Sequence, residues 1–183
     1  MKQPDRLLAE KLLQINAINL QPNNPFTWAS GWNSPIYTDN RKTLSYPDIR
    51  SFIKVELSRM ILENFPEADA IAGVATGAIA VGALVADLLN LPYVYVRSTP
   101  KDHGLENLIE GNIKPGQKVV VIEDLISTGG SSLKAVEAIR AAGCEVAGMC
   151  ALFSYEFPLS VKRFRDANVK LLTLSNYSAM LDV

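Results

Sequence analysis

At 183 residues, 48% apolar and 20% charged, the chain has the composition of one globular domain with room for a substantial core. A formal net charge of −1 gives no electrostatic footing for nucleic acid or an anionic membrane surface, so any anion site must be local. Two cysteines, Cys144 and Cys150, and one histidine exclude a disulfide framework and a zinc cluster.

Taken in chain order, residues 4–18 place Leu7, Leu8, Leu12, Leu13 and Ile15 at helical spacing. Two prolines and three asparagines punctuate residues 21–34, which predicts a loop, and "PIYTDN" (35–40) predicts a short strand. Pro47 opens a second periodic run that reaches about Asn64. The rhythm then changes. Strands are predicted at "ADAIAGV" (68–74), "YVYVR" (93–97), "KVVVIED" (118–124), "EVAGMCALF" (145–153) and "VKLLTL" (169–174). Helices are predicted at 77–90, at 130–142 with Gly143 as the stop, and at 158–167. Strands apolar on both faces and alternating with helices indicate an α/β fold with a mainly parallel central sheet flanked by helices. Ligands of such sheets bind at the carboxyl ends of strands.

One segment invites a different reading. Residues 70–86, "AIAGVATGAIAVGALVA", carry no charge. A membrane helix needs about 20 mostly apolar residues. This run is shorter, lies between Asp69 and Asp87, and is rich in Ala and Gly, which suits a buried strand, a tight turn and a close-packed helix. No basic segment followed by an apolar one opens the chain, so no signal peptide is read and a cytoplasmic setting is expected.

The informative stretch is "VVVIEDLISTGGSS" (119–132), where an apolar run ends in Glu123 and Asp124 before a loop of small residues leads into a helix. A Gly-rich turn before a helix offers backbone N–H groups and the positive end of the helix dipole, which suits phosphate. Ser127, Thr128 and Ser131 add hydroxyl donors. Neither GxxxxGK[ST] nor GxGxxG after a strand is present, and no lysine waits for a triphosphate. Carboxylates repel phosphate but accept strong hydrogen bonds from vicinal hydroxyls. A ligand carrying a diol and a monophosphate, such as ribose 5-phosphate, answers both halves. On this segment alone a second reading stays open: two acids that cap a helix, and glycines that only form a turn.

The same stretch resembles the phosphoribosyl-diphosphate signature of the type I phosphoribosyltransferases. "FTWASGWNSPIYTDNR" (26–41) is similar to the base-site segment of the orotate phosphoribosyltransferases within that family, of the form F-T-x-x-S-G-x-x-S-P-x-Y-x-D. "VRSTPKDHGLENLIEG" (96–111) is similar to their mobile catalytic loop, R-x-x-x-K-x-H-G, and "GVATGAIA" (73–80) to the first diphosphate loop. The four stretches occur in the family's order and span nearly the whole chain. The resemblance implies a single domain over 1–183, with an N-terminal helix and small base-binding hood over 1–45 and a mobile catalytic loop over 97–111. The chain departs from many members at Ser98, and from some at Ala29 and Gly77, where they carry lysine, and "ALFSYEF" lacks the arginine that some place near the base.

The implied reaction is displacement of magnesium-bound diphosphate from C1 of ribose by N1 of orotate, giving orotidine 5′-monophosphate. Arg97, Lys101, His103 and Asp124 are the implied catalytic residues. Glu123, Asp124, Leu125, Ile126, Ser127, Thr128, Gly129, Gly130 and Ser131, with Arg97, Lys101 and His103, are the implied contacts to phosphoribosyl diphosphate. Ala75, Thr76 and Gly77 form the implied diphosphate loop. Ser127 and Phe26 are the expected orotate contacts, and Arg41 is put forward for its carboxylate in place of the lysine absent at Ala29. For Phe26, Trp28 and Trp32, packing within the loop is an equal alternative to ligand contact. Magnesium is expected to be held through the substrate, with no protein ligand. On its own, the polar segment 97–111 exceeds the usual connection between strands, so it is either functional or disordered, and a lone loop histidine is commonly a solvated one. With a reference pKa of about 6.5, His103 is suited to proton donation near pH 7. The family implies a homodimer whose loops act in trans, with small-molecule substrates and neither nucleic acid nor membrane as partner. Two alternatives remain: a purine-base phosphoribosyltransferase, which shares 119–132, and a phosphoribosyl-diphosphate-sensing regulator without turnover.

Overall fold

The computed structural model describes residues 3–27, 33–99 and 108–183. Its centre is a six-stranded sheet in the order β10-β9-β8-β5-β6-β7. The strands are β5 (Ala70–Val74), β6 (Tyr93–Val96), β7 (Ile109–Glu110), β8 (Lys118–Ile126), β9 (Glu145–Ser154) and β10 (Leu171–Asn176). All neighbouring pairs are parallel except β6 with β7, which is antiparallel. Every residue of β5 is buried, and its side chains alternate between two core clusters, Ile71 entering one and Ala70, Ala72 and Val74 the other. A strand needing cover on both faces is what an unbroken apolar run encodes.

The cover comes from helices. α1 (Pro4–Gln14), α2 (Pro47–Asn64) and α3 (Ile79–Leu89) supply apolar side chains to one cluster, and α4 (Gly130–Ala141) and α5 (Pro158–Asp166) to the other. In α2 the buried residues Ile49, Ile53, Leu57 and Ile61 recur every fourth position, one stripe down a helix started by proline. Cys144 and Cys150 are both buried and unlinked, and burial pushes the Cys150 thiol up to about 12, so it serves as a core residue. No helix among the described residues is long and apolar enough to cross a membrane.

The N-terminal part adds two small antiparallel pairs, β1 (Ile18–Leu20) with β4 (Ile36–Thr38) and β2 (Phe26–Thr27) with β3 (Asn33–Ser34). A 3₁₀ turn (Asn40–Ser45) leads from them to α2. The loop expected over 21–34 thus contains two short strands, which two-residue pairings hide from any test of periodicity. Four further elements escaped the sequence for the same reason: β1, three residues long, the 3₁₀ turn, β7, two residues long, and α6 (Tyr177–Leu181), five residues capped by Asn176. The strand expected to end at the acids continues to Ile126, because Glu123, Leu125 and Ile126 still pair with Ala151, Phe153 and Ser154 of β9.

Candidate functional site

The carboxyl ends of β5 and β8 carry the two small-residue loops and set them side by side. After β5, residues 75–77 turn the chain into α3, and the Ala75–Thr76 peptide is cis. After β8, residues 127–129 turn it into α4 through Gly129, whose φ of +79° lies in the left-handed region that favours glycine. The N-terminus of the twelve-residue α4 therefore faces the turn with Ser127, Thr128 and Ser131 around it.

Asp124 links the two loops. A Cβ built on Gly77 would lie 2.0 Å from Asp124 Oδ2, so only a residue without a side chain lets that carboxylate sit against the 75–77 turn. The backbone carbonyl of Asp124 accepts a 2.6 Å hydrogen bond from Asn40 Nδ2, which ties the N-terminal part to the sheet at this point. Arg41, next in the chain, pairs through Nε with Asp39 Oδ1 at 2.7 Å. That contact holds the Asp39 carboxyl below its usual range and raises Arg41, and Asp124 is among the charges that stabilise the Arg41 cation.

Glu123 behaves differently from its neighbour. It is 4% exposed, and its Oε2 accepts from Ser132 Oγ at 2.8 Å while its Oε1 accepts from the Asp124 N–H at 3.0 Å. It thereby spans the phosphate-type turn from β8 to the first turn of α4. Burial, reinforced by the adjacent Asp124 charge, raises its pKa well above the ordinary carboxylate range. A carboxyl whose pKa the fold raises makes the native chain bind more protons than the unfolded one between about pH 4.5 and the raised value. Stability must then fall as pH rises through that window. Melting temperatures of wild type and Glu123→Gln measured across pH should therefore diverge, with the variant gaining on the wild type as pH rises. Parallel curves would mean that Glu123 ionises freely.

Two cavities touch these loops. One of about 700 Å³ is lined by Ala75, Arg97, Ser98, Gly130 and Ser131 and runs along α4 past Lys134. Another of about 480 Å³ is lined by Ala75, Thr76, Tyr95, Arg97 and Glu110. Arg97 faces both. It stands where β6 and β7 close the base of the 98–107 segment, its N–H bonded to Leu108 O at 2.8 Å and its guanidinium 3.4 Å from Glu110.

The structure thus brings together Ala75, Thr76, Gly77, Arg97, Asp124, Gly130 and Ser131. Leu125 is half-buried and the Ile126 side chain is fully buried in the core, so Ile126 has only its backbone to offer a ligand. Phe26 is half-buried, its ring 5.5 Å from that of Tyr37. Lys101, His103, Trp28, Ala29 and Trp32 lie outside the described residues. Asn40, Ser132 and Arg163 were missed from sequence. Ser132 had a signal, a hydroxyl three and four positions before Ala135 and Val136 on the buried stripe of α4. No group of three or more His, Cys, Asp or Glu that could hold a metal occurs among the described residues.

Comparison with known proteins bears on the same segments. The phosphoribosyl transferase domain family matches residues 52–182. An orotate phosphoribosyltransferase of Bacteroides fragilis is 72% identical over 183 residues, covering 100% of this chain and 86% of its own length. One from Porphyromonas gingivalis is 67% identical over 182 residues, with 100% and 87% covered. The crystal structure of orotate phosphoribosyltransferase from Aeropyrum pernix superposes with a TM-score of 0.82 at 26% identity, covering 96% of this chain and 97% of that one.

Proposed function

The chain belongs to the orotate phosphoribosyltransferases of the phosphoribosyl transferase domain family, and from that membership we propose how its own residues carry out the transfer. The reaction moves the 5-phosphoribosyl group from 5-phospho-α-D-ribose 1-diphosphate to orotate, giving orotidine 5′-phosphate and diphosphate, a pentosyl transfer of pyrimidine (UMP) biosynthesis. The observation that carries the assignment of roles is the Asp124 carboxylate lodged against Gly77, at the junction of the 75–77 and 127–131 turns.

Asp124 accepts hydrogen bonds from the ribose hydroxyls, and its charge stabilises the cation that grows at C1 as the C1–oxygen bond opens. N1 of orotate bonds to C1 as the breaking bond's electron pair leaves on diphosphate, and the N1 proton passes to the departing diphosphate. Ser127, Thr128, Gly129, Gly130 and Ser131 hold the 5′-phosphate with hydroxyls and N–H groups at the start of α4. Ala75, Thr76 and Gly77 meet the diphosphate, and Arg97 presents a donor fork to it. Lys101 and His103 complete the cationic set around the leaving group and help to keep water out. Glu123 braces the cradle through Ser132. Among the described residues no group of three or more His, Cys, Asp or Glu could hold a metal, and with Glu123 turned into the core Asp124 is the carboxylate that would stand near a magnesium ion brought by the substrate phosphates. Bound there, magnesium would neutralise charge on the diphosphate. Ser127, Phe26 and Arg41 face the base, Arg41 toward its carboxylate. A single domain, a two-fold dimer with the Lys101 segment serving the partner's site, and a cytoplasmic setting complete the proposal.

The test is a panel of orotate, uracil, adenine and hypoxanthine with the activated sugar and magnesium. Orotate alone should be turned over. Turnover of adenine or hypoxanthine without orotate would move the chain to the purine enzymes, and sugar binding without turnover of any base would make it a sensor.

A further inference from the structure

The turn over 127–131 contains no basic side chain, yet it is assigned a dianionic phosphate. The charge comes from behind it. α5 packs against the back of the turn through two consecutive residues. Phe164 is buried, and its Cε2 lies 2.9 Å from where a Cβ on Gly129 would stand. Arg163 Nη1 donates to the Thr128 carbonyl at 2.9 Å and is 3.6 Å from a Cβ built on Gly130. The neighbouring cations of α5, Lys162 and Arg165, both pair with Asp166. Arg163 instead turns to the loop, and among the described residues no carboxylate pairs with it.

The contact has a geometric consequence. In a planar trans peptide the C=O and the following N–H point in opposite directions. Pinning the Thr128 carbonyl outward on Arg163 therefore turns the Gly129 N–H toward the inner side of the turn, where the phosphate is assigned. A glycine peptide flanked by left-handed backbone is otherwise free to rotate. The guanidinium also polarises that peptide and places a positive charge beside the cradle.

We infer that Arg163 is a positioning residue for the 5′-phosphate, orienting the Thr128–Gly129 peptide and supplying the positive charge that the cradle's own residues lack. The inference rests on the assignment of 127–131 to the 5′-phosphate. Arg163 does not touch the reacting atoms, so its loss should appear in binding of the phosphorylated sugar rather than in the chemical step. For Arg163→Ala, KM for phosphoribosyl diphosphate should rise about tenfold with kcat within about twofold of wild type, the size expected for one charge-assisted hydrogen bond. KM for orotate should stay put.

The discriminating measurement is inhibition by two product fragments. The inhibition constant of ribose 5-phosphate should rise in parallel with KM, and that of inorganic diphosphate should not move. Arg163→Lys should recover part of the loss, because it keeps a charge and a donor but not the planar fork. A helix-stabilising role would lower the melting temperature of both variants without separating the two fragments. Ser131→Ala and Thr128→Ala serve as cradle controls. If they weaken ribose 5-phosphate and Arg163→Ala does not, the inference on Arg163 is overturned and the cradle stands. If neither weakens it, the cradle assignment itself falls, and the inference with it.

Discussion

Asp124→Asn should lower kcat for orotidine 5′-phosphate formation by about a hundredfold, the scale seen when one pre-organised charge or donor is removed from a developing charge. The melting temperature at neutral pH should stay where it is or rise slightly. Both halves follow from where Asp124 spends its contacts. The part that holds the fold is backbone: its carbonyl takes the Asn40 bond, and its N–H goes to Glu123. Asparagine keeps both and has the same shape beside Gly77. What disappears is the negative charge. In the folded protein without substrate that charge faces a second carboxyl, and it is one of the causes that raise Glu123. Removing it relieves a repulsion in the resting protein and a stabilisation in the transition state. Activity and stability should thus move in opposite directions, the pattern expected of a residue held in place for chemistry rather than for folding. Substrate KM values should change less than kcat, since the charge matters most when C1 becomes cationic. Turnover near the wild-type rate, or a large loss of melting temperature, would remove Asp124 from the site or make it a structural residue.

The sheet was legible because its strands are apolar on both faces, a pattern few other structures produce. β5 reads as a strand from its composition and is buried throughout. The site was legible where chemistry is written in consecutive residues. The turn 127–131 and the acid before it lie in one stretch of chain, and the structure sets them at one strand end. What stayed hidden is contact between distant residues. Nothing in "YTDNR" announces that Asn40 will bond to Asp124, or in "VKRFRD" that Arg163 will turn to Thr128 while its neighbours pair with Asp166. The two acids show the same limit from the other side. Adjacent in sequence, they were read as a matched pair. Strand alternation sends one inward, to Ser132, and the other toward the loops.

The largest change expected anywhere in the molecule is the recovery of activity from two inactive proteins. Asp124→Ala removes the proposed ribose contact, and Lys101→Ala removes a cation from the 97–111 segment. Each homodimer should be nearly inactive. If the segment serves its own chain, mixing the two changes nothing, because every site in every dimer still lacks one of the two residues. If it serves the partner, a mixed dimer behaves differently. The intact segment of the Asp124→Ala chain meets the intact cradle of the Lys101→Ala chain, and one complete site forms. The second site of that dimer carries both defects. Random re-pairing of equal amounts makes about half of all dimers mixed, so roughly a quarter of wild-type activity should return. The measurement is to unfold and refold the variants together, confirm mixed dimers by mass, and assay against each variant refolded alone. Arg97 gives an internal control. Its guanidinium lines the same cavities as its own chain's Ala75. Arg97→Ala combined with Asp124→Ala on one chain and wild type on the other should therefore keep about half of wild-type activity, provided that Arg97 acts in its own chain. Mixed dimers that show no recovery from the first pair would place Lys101 in the site of its own chain.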